Sequence, residues 1–373
     1  MDTLSKLQLL SDASQYDLSC ACGTKQGADH RTRGAGGSWL YPVSLPGGGT
    51  SIILKTLLSN ACVNDCKYCP LRQDADVPRC TIGPDEMADV FLEYARRKAV
   101  FGLFLSSGVV GSPDRTMALL NDTAGILRKK HRYRGYLHIK IIPGASNAAI
   151  EESLSLARAV SLNIETPGPK ALAHLSKKKD FLQDIIRPLK FIAEKTAKGN
   201  RFERVKQTTQ FIVGASDETD AEIVRYTAGL YDRLGVSRVY FSAYQRGLGD
   251  GAIPGERPTT ARAEAPFIRE HRLYQVDFLF RRYGFNLSDI NYDERGGLSL
   301  ETDPKQLWAD RHPDFFPVNI NRAGADRLLR IPGIGPLGSR RILKMRAEGR
   351  IARLECLPVK GKRLESLKKY AVC

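Results

Sequence analysis

Three cysteines lie within eight residues in the stretch LLSNACVNDCKYCPLR, which covers residues 57 to 72. Cys62, Cys66 and Cys69 are separated by three and then by two residues, so one loop could direct three thiolates at a soft metal centre. Three ligands leave one iron of a [4Fe–4S] cluster without a protein ligand, whereas structural iron–sulfur and zinc sites normally take four. An open iron can bind a substrate or a cofactor. The spacing therefore predicts a reactive iron–sulfur cluster.

A zinc site is the alternative for these cysteines. It would need a further donor from Cys80 or from the pair Cys20 and Cys22. Structural zinc loops usually have paired two-residue spacings, which the three-residue spacing here does not match. The cluster is therefore the preferred interpretation.

Six apolar runs alternate with amphipathic segments from about residue 50 onward. The runs are SIILKTLL, GLFLSS, YLHIKIIP, SLNIE, TTQFIVG and RVYFSAY. Several segments between them, such as PDEMADVFLEYARRKAV, begin with Pro, Asp or Glu, as helices do. Repeated strand–helix units predict a parallel sheet with its chemistry in the loops after the strands. Residues 50 to 285 are therefore predicted to be an α/β domain, a partial (βα)6 TIM-like barrel, with the cysteines after its first strand.

The motif C-x3-C-x2-C with an aromatic before its last cysteine, following the first strand of such an array, resembles the radical SAM superfamily. The resemblance covers the whole barrel. It implies that Cys62, Cys66 and Cys69 hold a [4Fe–4S] cluster whose open iron chelates S-adenosylmethionine. Reduction by an external electron donor would cleave the sulfonium and release a 5′-deoxyadenosyl radical, which abstracts hydrogen from a substrate. Tyr68 matches the aromatic that packs near the adenine in this superfamily.

The same resemblance implies further cofactor-binding residues. Ser106, Ser107 and Gly108 end the second strand, where the superfamily usually has a glycine–glycine–glutamate motif for the methionine amino group. Because the glutamate is replaced, hydroxyl or carbonyl oxygens would make that contact. Glu165 ends the fourth strand and would face the ribose or the sulfonium, or else fix its own loop. Gly214 matches a glycine beside the adenine, although a glycine that ends a strand is often only a turn.

The composition favours a folded protein with a polyanionic partner. The 373 residues are 42% hydrophobic and 26% charged, and 57 Lys+Arg stand against 41 Asp+Glu, for a net charge of +16. Residues 318 to 373 alone hold 14 Lys+Arg against four acids, a charge of +10. The start of the chain has no basic region followed by an apolar run, and no run approaches a membrane span, so a cytoplasmic location is expected.

The basic C-terminal part resembles a helix–hairpin–helix element. In ADRLLRIPGIGPLGSRRILKMR, residues 325 to 346, PGIG separates two amphipathic segments, and a second, less complete copy follows 26 residues later. The glycines would let backbone N–H groups approach a phosphate. Paired hairpins of this kind grip duplex DNA across the minor groove. The predicted DNA-binding residues are Gly333, Ile334, Gly335, Arg340, Arg341, Lys344, Lys360 and Gly361. A purely structural or protein-binding hairpin is the alternative.

These parts together divide the chain into an N-terminal segment (1–49), a barrel (50–285), a linker (286–317) and a helix–hairpin–helix domain (318–373). The combination, with the segments YDLSCAC, SSGVVGSPD and NIETPG, resembles putative DNA modification or repair radical SAM proteins. That family context implies a functional link to a uracil-DNA-glycosylase-like partner. One alternative is a radical SAM enzyme that modifies RNA such as tRNA. Another is a DNA-binding protein with a structural iron–sulfur or zinc site.

Cysteines outside the motif yield a further hypothesis. Cys20 and Cys22 flank one alanine and would face one side of an extended segment, so either could cover the barrel mouth as a hydrogen donor or a cluster ligand. Cys80 lies just before a barrel helix and could approach the same mouth. Cys356 occupies an apolar helical position and is expected to be a buried core thiol.

Overall fold

The computed structural model describes residues 1–14, 32–34, 39–44, 49–258, 264–357, 359 and 361–373. By compactness the chain divides into two units, one of residues 1–218 and 229–267, the other of residues 219–228 and 268–373. Cys20, Cys22 and Lys360 lie outside the described residues. The predicted boundaries at residues 49, 285 and 317 concern functional modules and stay a prediction. None of the described helices has the length and apolar character needed to cross a membrane.

One eight-stranded sheet forms the centre of the first unit. Its order follows the chain from β1 to β8, with β1 and β2 antiparallel to their neighbours and β3 to β8 all parallel. The strands are β1 (Thr32–Arg33), β2 (Trp39–Ser44), β3 (Thr50–Leu57), β4 (Gly102–Ser106), β5 (Tyr136–Lys140), β6 (Ala159–Ser161), β7 (Lys206–Val213) and β8 (Arg238–Ala243). The six parallel strands are those predicted, so the partial (βα)6 barrel of the α/β class is confirmed.

Helices connect the parallel strands, as a parallel sheet requires. The described helices are α1 (Thr3–Ser14), α2 (Pro84–Arg96), α3 (Pro113–Gly125), α4 (Asn147–Leu156), α5 (Pro169–Leu175), α6 (Arg187–Thr196), α7 (Asp220–Leu234), α8 (Ala265–Tyr283), α9 (Pro304–Asp310), α10 (Ala325–Arg330), α11 (Pro336–Glu348) and α12 (Lys362–Lys368). Pro at the first turn begins α2, α3 and α5 because its missing N–H has no partner there in any helix. Short π-helical turns lie at Ile126–Lys130 and Phe181–Ile186.

The fourth predicted strand is displaced toward the N-terminus. Residues 161 to 165 were expected to be extended, but β6 ends at Ser161, and Glu165 makes only an isolated bridge to Phe211. The antiparallel strands β1 and β2 were not predicted, because the glycine-rich segment around them resembles a loop. The first difference shifts one strand, and the second adds two strands at one edge of the sheet; neither changes the order of the six parallel strands.

The second unit contains the basic C-terminal part of the chain. The basic part begins with β9 (Val318–Asn319), which pairs in parallel with β10 (Ala371–Val372). This pairing places residues 318 and 319 beside residues 371 and 372. Buried apolar side chains from the turns and helices form one core, with Val318, Ile320, Leu328, Ile331, Ile334, Ile342, Leu357 and Leu367 among them. The segment predicted as a linker holds α9, whose buried Trp308 makes edge contacts with the rings of Phe285 and Phe315. Cys356, expected in the core, is exposed because it lies on a one-turn 3₁₀ helix with no buried residue.

Candidate active site

The carboxyl ends of the parallel strands surround one cavity of about 1220 Å³, counted with its open mouth. Active sites of (βα) barrels lie at this end because the loops after all the strands converge there. The polar and sulfur-bearing side chains that line the cavity belong to Asn64, Cys62, Cys66, Tyr68, Cys69, Ser106, Ser107, Lys140, Asn163, Glu165, Lys179, Gln210, Ser242, Tyr244 and Gln245. The three motif cysteines therefore share one space with most of the predicted cofactor residues.

The cysteine loop is fastened to the segment that follows α5. The Asp65 carboxylate accepts hydrogen bonds from the Ser176 hydroxyl (2.5 Å) and from the Lys177 amide (2.9 Å). Lys178 donates through its Nζ to the Val63 carbonyl at 2.6 Å. These bonds join residues more than 100 positions apart. Asp65 is thus a positioning residue for the loop, and nothing in its local sequence distinguishes it from a solvated aspartate.

Arg79 closes the far side of the same loop. Its guanidinium donates to the carbonyls of Leu71 (2.9 Å), Arg72 (2.8 Å) and Ala75 (2.9 Å), and also to that of Asn60. A planar group with five N–H donors can satisfy several carbonyls at once, and lysine cannot do this in the same geometry. Arg79 therefore holds both ends of the cysteine loop together.

Two of the three motif sulfurs, those of Cys66 and Cys69, are poorly solvated. Cys66 is 6% exposed, and burial raises the pKa of its thiol. Burial also raises the pKa of Cys69, to about 12. A buried thiol keeps its proton unless a bound metal supplies positive charge to replace it. Backbone amides already point at two sulfurs, from Leu71 to Cys69 Sγ and from Val109 to Cys62 Sγ, both at 3.4 Å. Such N–H donors stabilise metal-bound thiolates.

Gly108 is required where the loop after β4 meets the cysteine loop. Its amide donates to the Ser59 carbonyl at 2.7 Å, and a Cβ at this position would lie 2.4 Å from the Ala61 carbonyl oxygen. No side chain fits such an approach, so glycine is needed for packing. Gly108 thus lets the two loops touch immediately before Cys62. Its cofactor contact stays a prediction.

Lys179 joins three site residues and was missed by the sequence analysis. Its Nζ lies 3.4 Å from the Tyr68 hydroxyl and 5.9 Å from the centre of that ring. Burial lowers the pKa of Lys179, but the charges of Cys66 and Glu165 outweigh this and raise the pKa, so the ammonium is retained. Burial, with the charges of Cys66 and Glu165, raises the pKa of Tyr68. In the sequence Lys179 belongs to the run KKK at 177 to 179, which has the pattern of a solvated basic face, and no local signal separates Lys179 from its neighbours.

Glu165 has a backbone conformation that is rare for its residue type. Its φ of +64° lies in the left-handed region, which disfavours residues with a Cβ. Two backbone hydrogen bonds fix it there: its amide donates to the Gln210 carbonyl (3.0 Å), and its carbonyl accepts from Ile212 (2.8 Å). Strained residues that their surroundings hold in place cluster at functional sites. The bonds to β7 thereby place the Glu165 carboxylate at the cavity.

Ser106, the last residue of β4, and Ser107, which follows it, also line the cavity. The Ser106 carbonyl accepts a hydrogen bond from Leu58 at 2.8 Å. The Ser107 hydroxyl is buried, lines the cavity and has no hydrogen-bond partner among the described residues. A buried polar atom without a hydrogen-bond partner destabilises the folded protein, and such atoms commonly bond to a ligand or to water. Ser107 is therefore suited to receive a polar group of a bound molecule.

Gly214 does not line the cavity. It has a φ of +90°, and its amide donates to the buried Glu218 carboxylate at 2.5 Å, so it forms the turn that follows β7. Gln210, on the same strand, does line the cavity. A cofactor contact by Gly214 stays a prediction, while its role in the turn is visible in these bonds.

The donors needed for the zinc alternative lie apart from this cavity or outside the described residues. The Cys80 thiol donates to the Lys6 carbonyl of α1 at 3.8 Å, and Cys80 is not among the lining residues. Within the described parts of the chain, no three His, Cys, Asp or Glu side chains are grouped closely enough to hold a single metal ion. The motif thiols line the walls of an open space. In a [4Fe–4S] cluster each thiolate binds its own iron, so this donor set fits such a cluster.

The predicted DNA-binding residues that the structure describes, all except Lys360, belong to the second unit. Gly333 is exposed with a φ of +84° in the turn between α10 and α11, and Gly335 caps the start of α11. Arg340, Arg341 and Lys344 are exposed on α11, whereas the Ile334 side chain is buried in the core of this unit. Gly361, with a φ of +59°, precedes α12 as Gly335 precedes α11.

Comparisons with known proteins return distant similarities of structure. No protein-family model matches the chain, and no curated protein sequence matches it. The FeFe-hydrogenase maturase HydG from Carboxydothermus hydrogenoformans is 15% identical, with a TM-score of 0.48 over 61% of this chain and 52% of that one. Methylornithine synthase (PylB) is 13% identical, with a TM-score of 0.46 over 60% of this chain and 62% of that one. The cobalamin-dependent S-adenosylmethionine radical enzyme OxsB is 12% identical, with a TM-score of 0.34 over 79% of this chain and 45% of that one. This chain thus spans about half to three fifths of the length of these proteins.

Proposed function

We propose that the chain is a radical SAM enzyme that modifies or repairs DNA. One observation carries the enzymatic part: the three cysteines of a C-x3-C-x2-C loop line a single cavity with Tyr68, Ser107 and Glu165 at the carboxyl end of six parallel strands. Cys62, Cys66 and Cys69 would hold a [4Fe–4S] cluster, and S-adenosylmethionine would occupy the cavity beside it. When bound, the two would supply one-electron cleavage chemistry to the site.

The surrounding residues would prepare the cavity for these groups. Asp65 and Arg79 hold the cysteine loop in one conformation, so the three thiols need little reorganisation to bind iron. The amides of Leu71 and Val109 would donate to the metal-bound sulfurs. The Lys179 ammonium would offset the negative charge that three thiolates bring into a poorly solvated site.

The cofactor's polar groups would meet the residues that have unused capacity for hydrogen bonding. The Ser107 hydroxyl lacks a partner among the described residues and can accept a hydrogen bond from an amino group. The Glu165 carboxylate accepts a hydrogen bond from the Tyr68 hydroxyl and, at 3.5 Å, one from the Asn163 amide nitrogen. Its remaining lone pairs can accept from ribose hydroxyls, or the carboxylate can face a sulfonium. The Tyr68 ring is apolar and suited to lie against an adenine.

The DNA part of the proposal depends on the second unit. The helix–turn–helix of α10 and α11 exposes Gly333 beside a helix start, where backbone N–H groups can approach a phosphate. Exposed Arg340, Arg341 and Lys344 lie along α11, and residues 318 to 373 carry a charge of +10. These features support a helix–hairpin–helix domain that binds duplex DNA through its phosphates. An external electron donor and a uracil-DNA-glycosylase-like partner belong to the same proposal.

Anaerobic reconstitution tests the enzymatic part. We expect about four irons per chain and an EPR signal of the reduced cluster that changes when S-adenosylmethionine is added. Replacing Cys62, Cys66 or Cys69 by Ala should abolish the signal. Cys80→Ala is the matched control, because Cys80 lies outside the cavity and should leave the signal intact. One zinc per chain and no response to S-adenosylmethionine would show that the proposal is wrong.

Binding of nucleic acids tests the choice of substrate. The full chain should bind unrelated duplex DNAs with similar affinity, and this affinity should fall steeply with salt, since phosphate contacts carry no sequence information. Tighter binding of tRNA than of duplex DNA under the same conditions would instead favour an RNA-modifying enzyme.

A further inference from the structure

One face of α11 combines basic side chains with an unusual apolar one. Leu337, Arg340, Arg341 and Lys344 follow the spacing of three, four and seven residues that places side chains on one side of a helix, and all four are exposed. Ser339 and Ile342 lie on the other side and are buried. Leu337 is 66% exposed, the highest value among the described large hydrophobic side chains after Met1 at the chain start. Leu337 therefore lies at the N-terminal end of an α11 face whose other three side chains are basic and suited to bind a polyanion.

Leu337 lies in the first turn of α11, directly after the connecting turn of residues 331 to 335. Contacts on the side facing the core hold this connecting turn in place. Lys305 of α9 donates through its Nζ to the Ile334 carbonyl at 2.6 Å, with the Tyr283 ring 4.7 Å below that ammonium. A Cβ on Gly335 would lie 3.0 Å from the Tyr283 hydroxyl, so the turn packs closely against α8. The bonds and contacts of the turn are made inward, and the Leu337 side chain is left on the outer surface.

The preceding helix end is fixed in the same way. The Arg330 guanidinium lies 3.9 Å from the centre of the Phe285 ring and 4.6 Å from that of Trp308, and it pairs with Asp289 at 2.6 Å. Arg330 is thus used for structure and is not available to a phosphate. The end of α10 and the start of α11 are therefore both anchored. Leu337 is thus presented to a partner from a fixed backbone.

A single exposed leucine is common on protein surfaces, so its surroundings decide what it contacts. Three exposed cations within two helical turns favour a polyanion, and phosphates on both sides of a duplex groove would meet them. The apolar surface of a duplex lies between its stacked bases. Leucine is one of the side chains that proteins insert there from the minor groove.

We propose that Leu337 enters the minor groove and wedges between two base pairs when the basic face of α11 binds the phosphates. This inference rests on the proposed binding of duplex DNA. It identifies the bound form as locally unstacked and bent DNA. Bent and unstacked DNA presents a base to a modifying enzyme more readily than a straight duplex does.

Fluorescence of 2-aminopurine tests the wedge in the full chain. The probe is placed in a duplex next to a TA step, which unstacks easily, and the same duplex carries end labels that report bending by energy transfer. The parent should raise the 2-aminopurine signal and shorten the distance between the ends. Leu337→Ala should lose both changes and bind about tenfold more weakly, with an unaltered salt slope because no phosphate contact is lost. Leu337→Met should retain the unstacking.

Leu182→Ala is the matched control, since Leu182 is 58% exposed and lies on the first unit. It should behave as the parent does. Duplex binding by the parent without unstacking or bending, or a Leu337→Ala variant that unstacks the probe as the parent does, would overturn the wedge and leave DNA binding intact. Failure of the parent to bind any duplex would overturn the proposed DNA function together with the wedge.

Discussion

The cavity of the first unit and the basic face of α11 in the second unit are built in opposite ways. The cavity gathers residues from the ends of the parallel strands and from the loops that follow them, and its cysteine loop depends on bonds between positions more than 100 residues apart. The α11 face consists of four residues within one helix, and their side chains project into solvent. The first site depends on tertiary structure, whereas the second depends on helical periodicity and on one anchored turn.

This difference predicts how each site responds to substitution. Each buried residue of the cavity makes hydrogen bonds or close contacts with several others, so a substitution of one of them should disturb the whole site. Exposed charges on α11 are separated by solvent and screened by salt, so their effects should be small and nearly additive. Substitutions at Gly108, Lys179, Lys305 and Arg341 test this contrast, in decreasing order of expected effect.

Gly108→Ala should abolish cluster binding. The new Cβ would lie 2.4 Å from the Ala61 carbonyl oxygen, so the loop that carries Cys62 must move away. We expect iron content near zero after reconstitution, with the protein still folded by circular dichroism. Gly125→Ala is the control, because nothing lies within 4 Å of its added Cβ. A full iron complement in Gly108→Ala would show that the close approach of these loops is dispensable.

Lys179→Met should lower the reduction potential of the cluster. Adding an electron makes the cluster more negative, and a nearby ammonium stabilises that form, so its removal makes the potential more negative. A unit charge beside a poorly solvated redox group is worth on the order of 50–100 mV. EPR-monitored redox titration measures the shift. Lys179→Arg should keep most of the parent potential, and the exposed Lys177→Met should not change it. Equal reduction potentials in the parent and in Lys179→Met would show that Lys179 does not influence the cluster.

Lys305 should make the stability of the second unit depend on pH. Burial lowers the pKa of Lys305 from 10.5 to about 7, so unfolding takes up a proton between these two values. The free energy of unfolding should therefore rise with pH, by up to about 1.4 kcal/mol per unit, and the burial penalty is fully present below pH 7. Urea unfolding at pH 7 and pH 9 should reveal this rise in the parent. The rise should be absent in Lys305→Met and retained in the exposed Lys369→Met.

The amino-acid sequence alone was sufficient to predict the six parallel strands and to identify the cysteine motif. The strands are short, largely apolar runs that alternate with longer amphipathic segments, and this alternation indicated all six. The fourth was placed too late because the chain leaves the ladder after Ser161 and returns only at the Glu165 bridge. The strands β1 and β2 were missed because glycines around them indicate loops. Local patterns thus located elements more reliably than their ends.

The supporting residues of the cavity could not have been found in the same way. Asp65, Arg79 and Lys179 are ordinary charged residues in sequence, and their functions arise from partners that the fold brings to them. The strained backbone of Glu165 likewise depends on its two bonds to β7. The α11 face, by contrast, was visible in the sequence because its spacing lies within one helix. Only the exposure of Leu337 and the anchoring by Lys305 required the structure.

Arg341→Gln should have a smaller effect than the three changes above and is the most direct test of the local character of the α11 face. Arg341 is exposed, so its loss should remove about one phosphate contact. The slope of log affinity against log salt should become shallower by about 0.9, and affinity should fall by about three- to tenfold near 0.1 M salt. Lys344→Gln should do less, because Lys344 shares its charge with Glu348 at 4.0 Å. Arg97→Gln on the first unit is the control, since Arg97 is exposed and paired with Glu93. If Arg97→Gln flattened the salt dependence as much as Arg341→Gln, the binding charge would be spread over the chain, and α11 would not be a defined DNA surface.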